Sequence, residues 1–467
     1  MTAICRMTAI YRMKRFTVIA SEAKQSREFQ RFYGGLHRVI NGRNGGRGRI
    51  LFEGFLVALY VQKFGGTSVG DIDCIRRVAR KICQTRQAGH DVVVVVSAMG
   101  HETDRLIDLV HSISKTPQPR EYDALIATGE QVSAAMVSLA LNDAGCLARS
   151  YNGVQARILT NPRHSKAQIT RIDPVAIQAD LQKGIVPVVT GFQGVDAEGN
   201  ITTIGRGGSD TTAVMLAAAL NADECQIYTD VEGIYTSDPR IVHEARRLSQ
   251  ITFEEMLELA RLGAEVLQTS SVRLAERHRV PLRVLSSFVE GDGTLVTFNQ
   301  AELLEPIVSG IAFARDQAKL TVRGLPTDSQ WIDHWSQAIH EAIIEVDMMV
   351  ETPPLDNQKM DFSFTVPLTD YPQALLISNK LLQKLNFSCE ILVNDRVAKL
   401  SLVGIGMKTH AGVASKILNA LGQEGIKIHL ITSSEVTISV VVDEKYMELG
   451  ARILHAAFLS DGNQVIK

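Results

Sequence analysis

Lys63 stands one residue before a glycine pair, in the run Lys63-Phe64-Gly65-Gly66-Thr67-Ser68-Val69-Gly70. Glycines let backbone N–H groups turn toward an anion, a helix N-terminus adds partial positive charge, and an ammonium beside the turn can reach a phosphate. A second run, Gly205-Arg206-Gly207-Gly208-Ser209-Asp210, repeats the arrangement: a basic loop in which Ser209 or Asp210 can cap the next helix. Neither run matches the GxxxxGK(S/T) phosphate loop. Taken singly, each reads equally well as a tight turn or a capped helix. Two in one chain shift that balance, because a nucleotide and a carboxylate substrate each need anion-binding donors. The segment from Tyr228 to Arg240 is rich in turn residues and by itself reads as an ordinary loop. Ala127-Thr128-Gly129-Glu130 places a carboxylate near a helix start, where acids are commonly no more than favourable first-turn charges.

The elements around these runs predict how they are held. A strand-like stretch, Leu56 to Phe64, leads into the first glycine pair. An amphipathic helix comes next, with Ile72, Ile75, Val78, Ala79 and Ile82 on one face and Gly89 as its stop. Five consecutive valines, Val92–Val96, show no alternation and read as a strand buried on both faces, as in a parallel sheet. Gly184 to Gly194 holds a second such strand, and Ala213 to Asp230 a helix and a third. Strands alternating with helices predict a doubly wound, mainly parallel α/β domain over 57–300.

The last third repeats itself. Ala318-Lys319-Leu320-Thr321-Val322-Arg323-Gly324 recurs as Ala398-Lys399-Leu400-Ser401-Leu402-Val403-Gly404. Ile344 to Met349 recurs as Ile426 to Ile431, and Asp361 to Val366 matches Thr437 to Val442. A nearly constant offset marks a duplicated unit. Each copy reads as strand, helix, strand, strand, helix, strand, the ferredoxin-like α+β order, over 301–388 and 389–467.

Bulk properties narrow the classes of function. The 467 residues call for two to four domains, and 45% hydrophobic with 21% charged residues is ordinary globular composition. A net charge of −2 gives the whole chain no bias toward nucleic acid or membranes. Six cysteines without a CxxC pair indicate neither a zinc site nor a disulfide framework, in keeping with a reducing, cytoplasmic compartment. Residues 1–56 stand apart. The first 50 hold 11 Lys and Arg against only Glu22 and Glu28, open on a crude repeat, and run into a glycine- and arginine-rich stretch that builds no core. A transit peptide, a nucleic-acid or lipid-binding arm, and upstream DNA translated in frame are the three readings. The last fits best, with a native start near Val57.

Five segments taken in order resemble aspartate kinases of the amino-acid kinase family: KFGGTSVGD, VSAMGHETDRL, ATGEQVS, GFQGVDAEGNITTIGRGGSDTTA and YTDVEGIYTSDPR. The likeness runs from about Val57 to the C-terminus, and the repeated units resemble that family's two ACT domains. The resemblance implies a phosphotransferase that uses ATP with Mg²⁺ to phosphorylate the side chain of L-aspartate. It implies that Lys63, Gly65 and Gly66 hold the ATP phosphates, with Ser97 beside the transferring group. Thr103 would lie near aspartate, Glu130 would accept its α-ammonium, and Arg206 would pair with a carboxylate. Ser209 and Asp210 would work at the phosphate end; Thr229, Asp230, Tyr235 and Arg240 would line the nucleotide pocket. Magnesium would be held by ATP oxygens and water, with no dedicated protein ligands. The resemblance also implies an amino-acid effector such as lysine or threonine, and a homodimer or larger homo-oligomer.

Two departures stand out. Glu265 occupies a segment where the family commonly has Lys, and the turn Gly324 to Trp331 lacks the usual Asp-x-Pro-Gly. Gly404 to Val413, in the second unit, is closer to that pattern. The rival readings are another amino-acid kinase, acting on glutamate, acetylglutamate or a nucleoside monophosphate, and a non-catalytic amino-acid sensor.

Overall fold

The computed structural model describes residues 57–264, 266–298, 308–326, 331–352, 359–407 and 411–460. The N-terminal extension 1–56, Glu265, and the middle of the turns Gly324 to Trp331 and Gly404 to Val413 (327–330 and 408–410) lie outside the described residues.

Eight strands form the sheet on which the first domain is built. Across it they run Gln250–Thr252, Thr294–Thr297, Leu282–Ser286, Glu224–Thr229, Leu59–Phe64, Asp91–Val96, Val186–Thr190 and Ala148–Tyr151. Every neighbouring pair is parallel except Leu282–Ser286 with Thr294–Thr297. The valine run behaves as its composition predicts. Val93 and Val95 enter one hydrophobic core, while Val92, Val94 and Val96 enter the core on the opposite face. Both faces are therefore covered, the condition under which an unalternating strand is stable.

Helix Ile72–Gln87 starts at Asp71, whose side chain accepts from Cys74 N, and buries Ile75, Val78, Ala79, Ile82 and Cys83. Ile72, which the periodicity puts on that face, is exposed at the very start of the helix. Pro119–Ile126 and Thr128–Asp143 form a nearly continuous helical stretch that is long and apolar enough to cross a membrane. Half of its apolar window is buried inside this fold, where Ala134, Val137 and Leu141 join the core beside Val94. A smaller sheet of Ile169–Ile172, Ile158–Thr160, Gln193–Val195 and Ile201–Thr203 stands beside the large one and feeds into the second glycine loop.

The C-terminal region forms one six-stranded antiparallel sheet, in the order Met349–Thr352, Lys359–Pro367, Gly310–Pro326, Glu390–Val403, Thr437–Asp443 and Ile428–Ser433. The repeats do not close one after the other. The two long central strands serve both units, and their pairing shifts register around Gln317. Lys319 to Arg323 pairs with Glu390 to Asn394, whereas Gly310 to Ala314 pairs with Lys399 to Val403. The segment preceding the first repeat thus supplies the fourth strand of the second, covering an edge that would otherwise be exposed. The same strand pair ties the two domains together: Ala312 and Val403 pack into the large sheet's core, and Val242 of the first domain packs into the core of the second C-terminal unit.

Candidate active site

Parallel strands carry their C-terminal ends to one edge, and ligands of open α/β sheets bind there, where strand order reverses. Here the chain runs outward from Leu59–Phe64 through Asp91–Val96, and later returns to its other side with Glu224–Thr229. The first glycine pair, Ser97, Gly191 and Asp230 all come directly after strand ends at this edge. Backbone bonds stitch these ends together. Gly65 N donates to Tyr228 O at 3.2 Å, Ser97 N to Phe64 O at 3.1 Å, Gly100 N to Gly66 O at 3.1 Å, and Gly191 N to Val96 O at 2.9 Å.

Lys63 and Asp210 meet within that frame. Lys63 Nζ lies 2.6 Å from Asp210 Oδ1, with side chains only 12% and 10% exposed. The contact joins two charges without the alignment of a hydrogen bond. Asp210 is available for it because it does not cap its helix. The sequence pattern predicts Ser209 or Asp210 as the cap; instead the helix runs Gly208–Leu220, its N-cap is Gly207, and no side chain caps it. Gly207 takes the left-handed conformation at φ 72°, a region that favours glycine. Ser209 and Asp210 are therefore first-turn residues, both buried. Ser209 lies against Gly191, where an added Cβ would fall 2.6 Å from its Cβ and 2.9 Å from its Cα.

Glu130 sits in the first turn of Thr128–Asp143 and is 3% exposed. Its Oε1 accepts from Ala98 N at 3.1 Å, while its Oε2 is buried with no hydrogen-bond partner among the described residues. Burial pushes its carboxyl up to about 7, against the opposing pull of its own and Ala98's backbone N–H groups. Thr103 lies in the first turn of Glu102–Ile113, close by: an added Cβ on Gly129 would stand 2.9 Å from Ala98 Cβ and 3.7 Å from Glu102 Cγ. The two helix N-termini converge on the loop after Val96.

The other expected site residues spread outward. Arg206 is exposed on its loop. Thr229 Oγ1 donates to Asp230 Oδ1 at 3.1 Å at the end of the strand beside Lys63. Tyr235 bridges to Arg247, and the exposed Arg240 contacts Asp238 at 2.7 Å. Just beyond Tyr235, Thr236 Oγ1 shares a buried 3.0 Å hydrogen bond with His455 Nε2, in the C-terminal helix Met447–Leu459. The loop assigned to the nucleotide is thus held directly by the second domain.

Two buried groups are not singled out by sequence reasoning. Asp123 is fully buried on Pro119–Ile126 and accepts from Thr203, Ser165 and His164. Its one sequence signal is a carboxylate three residues from Ile126 on the apolar face of a short helix. Gln193 Nε2 donates to Ala127 O at 2.7 Å beneath the Glu130 turn; it lies in the segment that starts at Gly191, and only the fold shows what it holds.

Comparison with known proteins places both parts of the chain in a family. Residues 58–286 match the model of the amino acid kinase family and residues 400–458 that of an ACT domain. An aspartate kinase of Stutzerimonas stutzeri is 54% identical over 406 residues, spanning 87% of this chain and 98% of that protein. The chain belongs to the aspartate kinase family. As a member it is an ATP-dependent phosphotransferase with an amino-acid kinase domain followed by ACT domains. The crystal structure of Escherichia coli aspartokinase III with aspartate and ADP, in the R-state, superposes with a TM-score of 0.68 at 26% identity, covering 86% of this chain and all of that one. The same family member with lysine and aspartate, in the T-state, gives the same TM-score, identity and coverage.

Proposed function

We propose that the chain phosphorylates the side-chain carboxylate of L-aspartate with ATP, giving ADP and 4-phospho-L-aspartate. The observation that carries this reading is the buried oxygen of Glu130 that has no hydrogen-bond partner among the described residues. An interior carboxylate oxygen with no donor is costly unless a ligand completes it, and the α-ammonium of an amino acid supplies both the donor and the countercharge. The relatives' names and the aspartate and ADP bound to the Escherichia coli enzyme support the same substrates.

The chemistry asks little proton transfer of the protein. One oxygen of the substrate carboxylate, already ionised at pH 7, bonds to the γ-phosphorus as the bond to the β–γ bridging oxygen breaks and ADP leaves. The difficulty is bringing an anion against a polyanion, so the work is positioning and charge neutralisation. Lys63 and the Gly65–Gly66 backbone would hold the phosphates, Ser97 and Ser209 would flank the transferring group, and Asp210 would keep the Lys63 ammonium over the glycine turn. Glu130, Thr103 and Arg206 would seat aspartate; Thr229, Asp230, Tyr235 and Arg240 would border the nucleotide. Mg²⁺, carried on phosphate oxygens and water, would supply further positive charge at the γ-phosphoryl group. The exposed placement of Arg206 fits a residue that turns inward once a carboxylate arrives.

The same reading makes this the first step toward lysine, threonine and methionine, in the cytoplasm, with feedback by lysine or threonine through the ACT region and a homodimer or larger assembly. The lysine bound to the T-state relative supports an effector of that class. ADP release measured with aspartate, glutamate, acetylglutamate and nucleoside monophosphates tests the substrate. Aspartate should turn over far faster than the others; turnover of another acceptor in preference to aspartate would overturn the assignment.

A further inference from the structure

One heavily bonded buried carboxylate, Asp123, belongs to none of the family-like segments. Asp123, 0% exposed, accepts through Oδ1 from Thr203 Oγ1 at 2.6 Å, Ser165 N at 3.0 Å and Ser165 Oγ at 3.3 Å. Through Oδ2 it accepts from His164 Nδ1 at 2.8 Å, Thr203 N at 3.0 Å and Ser165 N at 3.0 Å. As the ionised carboxyl only accepts, Nδ1 of His164 carries the proton. All these donors come from two places: the turn at 163–165 and the last residue of the strand Ile201–Thr203. Ala167 N donates to Thr203 O at 2.9 Å, closing the same junction from the other side. A charge this deep is tolerated only with its lone pairs filled, and here they are spent on fixing where one strand ends.

Beyond that strand end the chain runs through Ile204 and Gly205 to Arg206. Thr203 is thus the last point before the arginine that Asp123 anchors, and its backbone and side chain are both tied to that carboxylate. We propose that Asp123 is a positioning residue for Arg206, setting the site's affinity for the carboxylate end of the acceptor substrate without touching that substrate. The proposal rests on the assignment of Arg206 to that carboxylate. It separates Asp123 from a residue that merely supports the core. Loss of a core support lowers the folded fraction and hence apparent kcat, whereas loss of a positioning residue raises one KM selectively. Asparagine at 123 keeps the shape but turns an amide NH₂ toward N–H donors, so the junction must shift.

Steady-state kinetics on the full-length enzyme carrying Asp123→Asn, Arg206→Ala and both together test this. Asp123→Asn should raise KM for aspartate about ten-fold, since displacing a binding group by an ångström costs up to ~100-fold, and should leave KM for ATP unchanged. The double variant should be no worse than Arg206→Ala, because a positioning residue has no effect once its target is gone. Should Asp123→Asn not fold, Thr203→Val removes one donor to Oδ1 and should show the same selective rise. A fall in kcat with both KM values unchanged, or full additivity with Arg206→Ala, overturns the proposal and makes Asp123 a core residue. An unchanged aspartate KM in Arg206→Ala alone overturns the Arg206 assignment itself, and this inference with it.

Discussion

Lys63 and Asp210, 147 residues apart in the sequence, lie 2.6 Å apart at the edge of the parallel sheet. The pair places an ammonium over the first glycine turn and a carboxylate in the first turn of the helix after the second. If the two act as a unit, Lys63→Ala should lower turnover by ~10²–10³, the range for losing one donor to a transition state. Asp210→Ala should lower it too, and the double variant should fall well short of the product of the two losses. ADP-release kinetics read all three.

Glu130 should make aspartate binding depend on pH. Its folded-state carboxyl titrates at about 7, raised by burial, so near neutrality the free enzyme holds it partly protonated. The ammonium of aspartate prefers the ionised form. kcat/KM for aspartate should therefore rise with pH across the region around 7, and Glu130→Gln should be weaker throughout and lose that rise. The linkage has the opposite sign for stability. A folded pKa above the unfolded value favours folding at low pH, a contribution lost as pH rises through about 7. At pH 8, Glu130→Gln should accordingly melt at a higher temperature than the wild type. An equal or lower melting temperature would mean the carboxylate is not strained by its burial.

Gly191→Ala should damage the site from a distance. The new Cβ would land 2.6 Å from Ser209 Cβ and 2.9 Å from its Cα, and a backbone atom has no rotamer by which to yield. The first turn that carries Asp210 must move. We expect overpacking of about 1–3 kcal/mol in denaturant unfolding, together with a loss of turnover larger than that destabilisation alone would give.

Thr236 and His455 should report on the tie between the two domains. Burial, with Arg246 nearby, holds the His455 imidazole below its ordinary pKa, so it is neutral at pH 7. A depressed folded pKa contributes stability above the unfolded value near 6.5 that is lost as pH falls through the folded one. Thr236→Val should cost about 1–3 kcal/mol, the range for a buried polar group left unpaired. It should also blunt any response of activity to lysine or threonine. Unchanged unfolding and unchanged effector response would show that the tie carries nothing.

Much of the fold is legible in the sequence because it rests on short-range chemistry. An unalternating valine run has one stable environment, a strand covered on both faces, and Val92–Val96 occupies it. The duplicated C-terminal pattern announces ferredoxin-like units, since strand and helix periods are local. The pattern says nothing of the exchange by which Gly310 to Ala314 completes the second unit, because strand pairing depends on which edge is left open and not on the nearest sequence. The capping expectation fails for a related reason. Ser209 and Asp210 have the right side chains for an N-cap, but a left-handed Gly207 ends the loop first, and Lys63 claims the aspartate.

By itself the sequence determined the chemical inventory: two glycine-framed loops with a lysine and an arginine, a first-turn glutamate, and a repeated tail. Those are properties of residue type and spacing within a few turns of chain. Only the tertiary structure decided how they combine. The parallel sheet brings strand ends distant in sequence to one edge, so that Lys63 finds Asp210 and Glu130 keeps an oxygen without a partner among the described residues. It also decided that Asp123, unremarkable on its short helix, gathers donors from a turn and from the end of a separate strand. A buried charge is stable only where the whole fold supplies its partners, and no local pattern records where they come from.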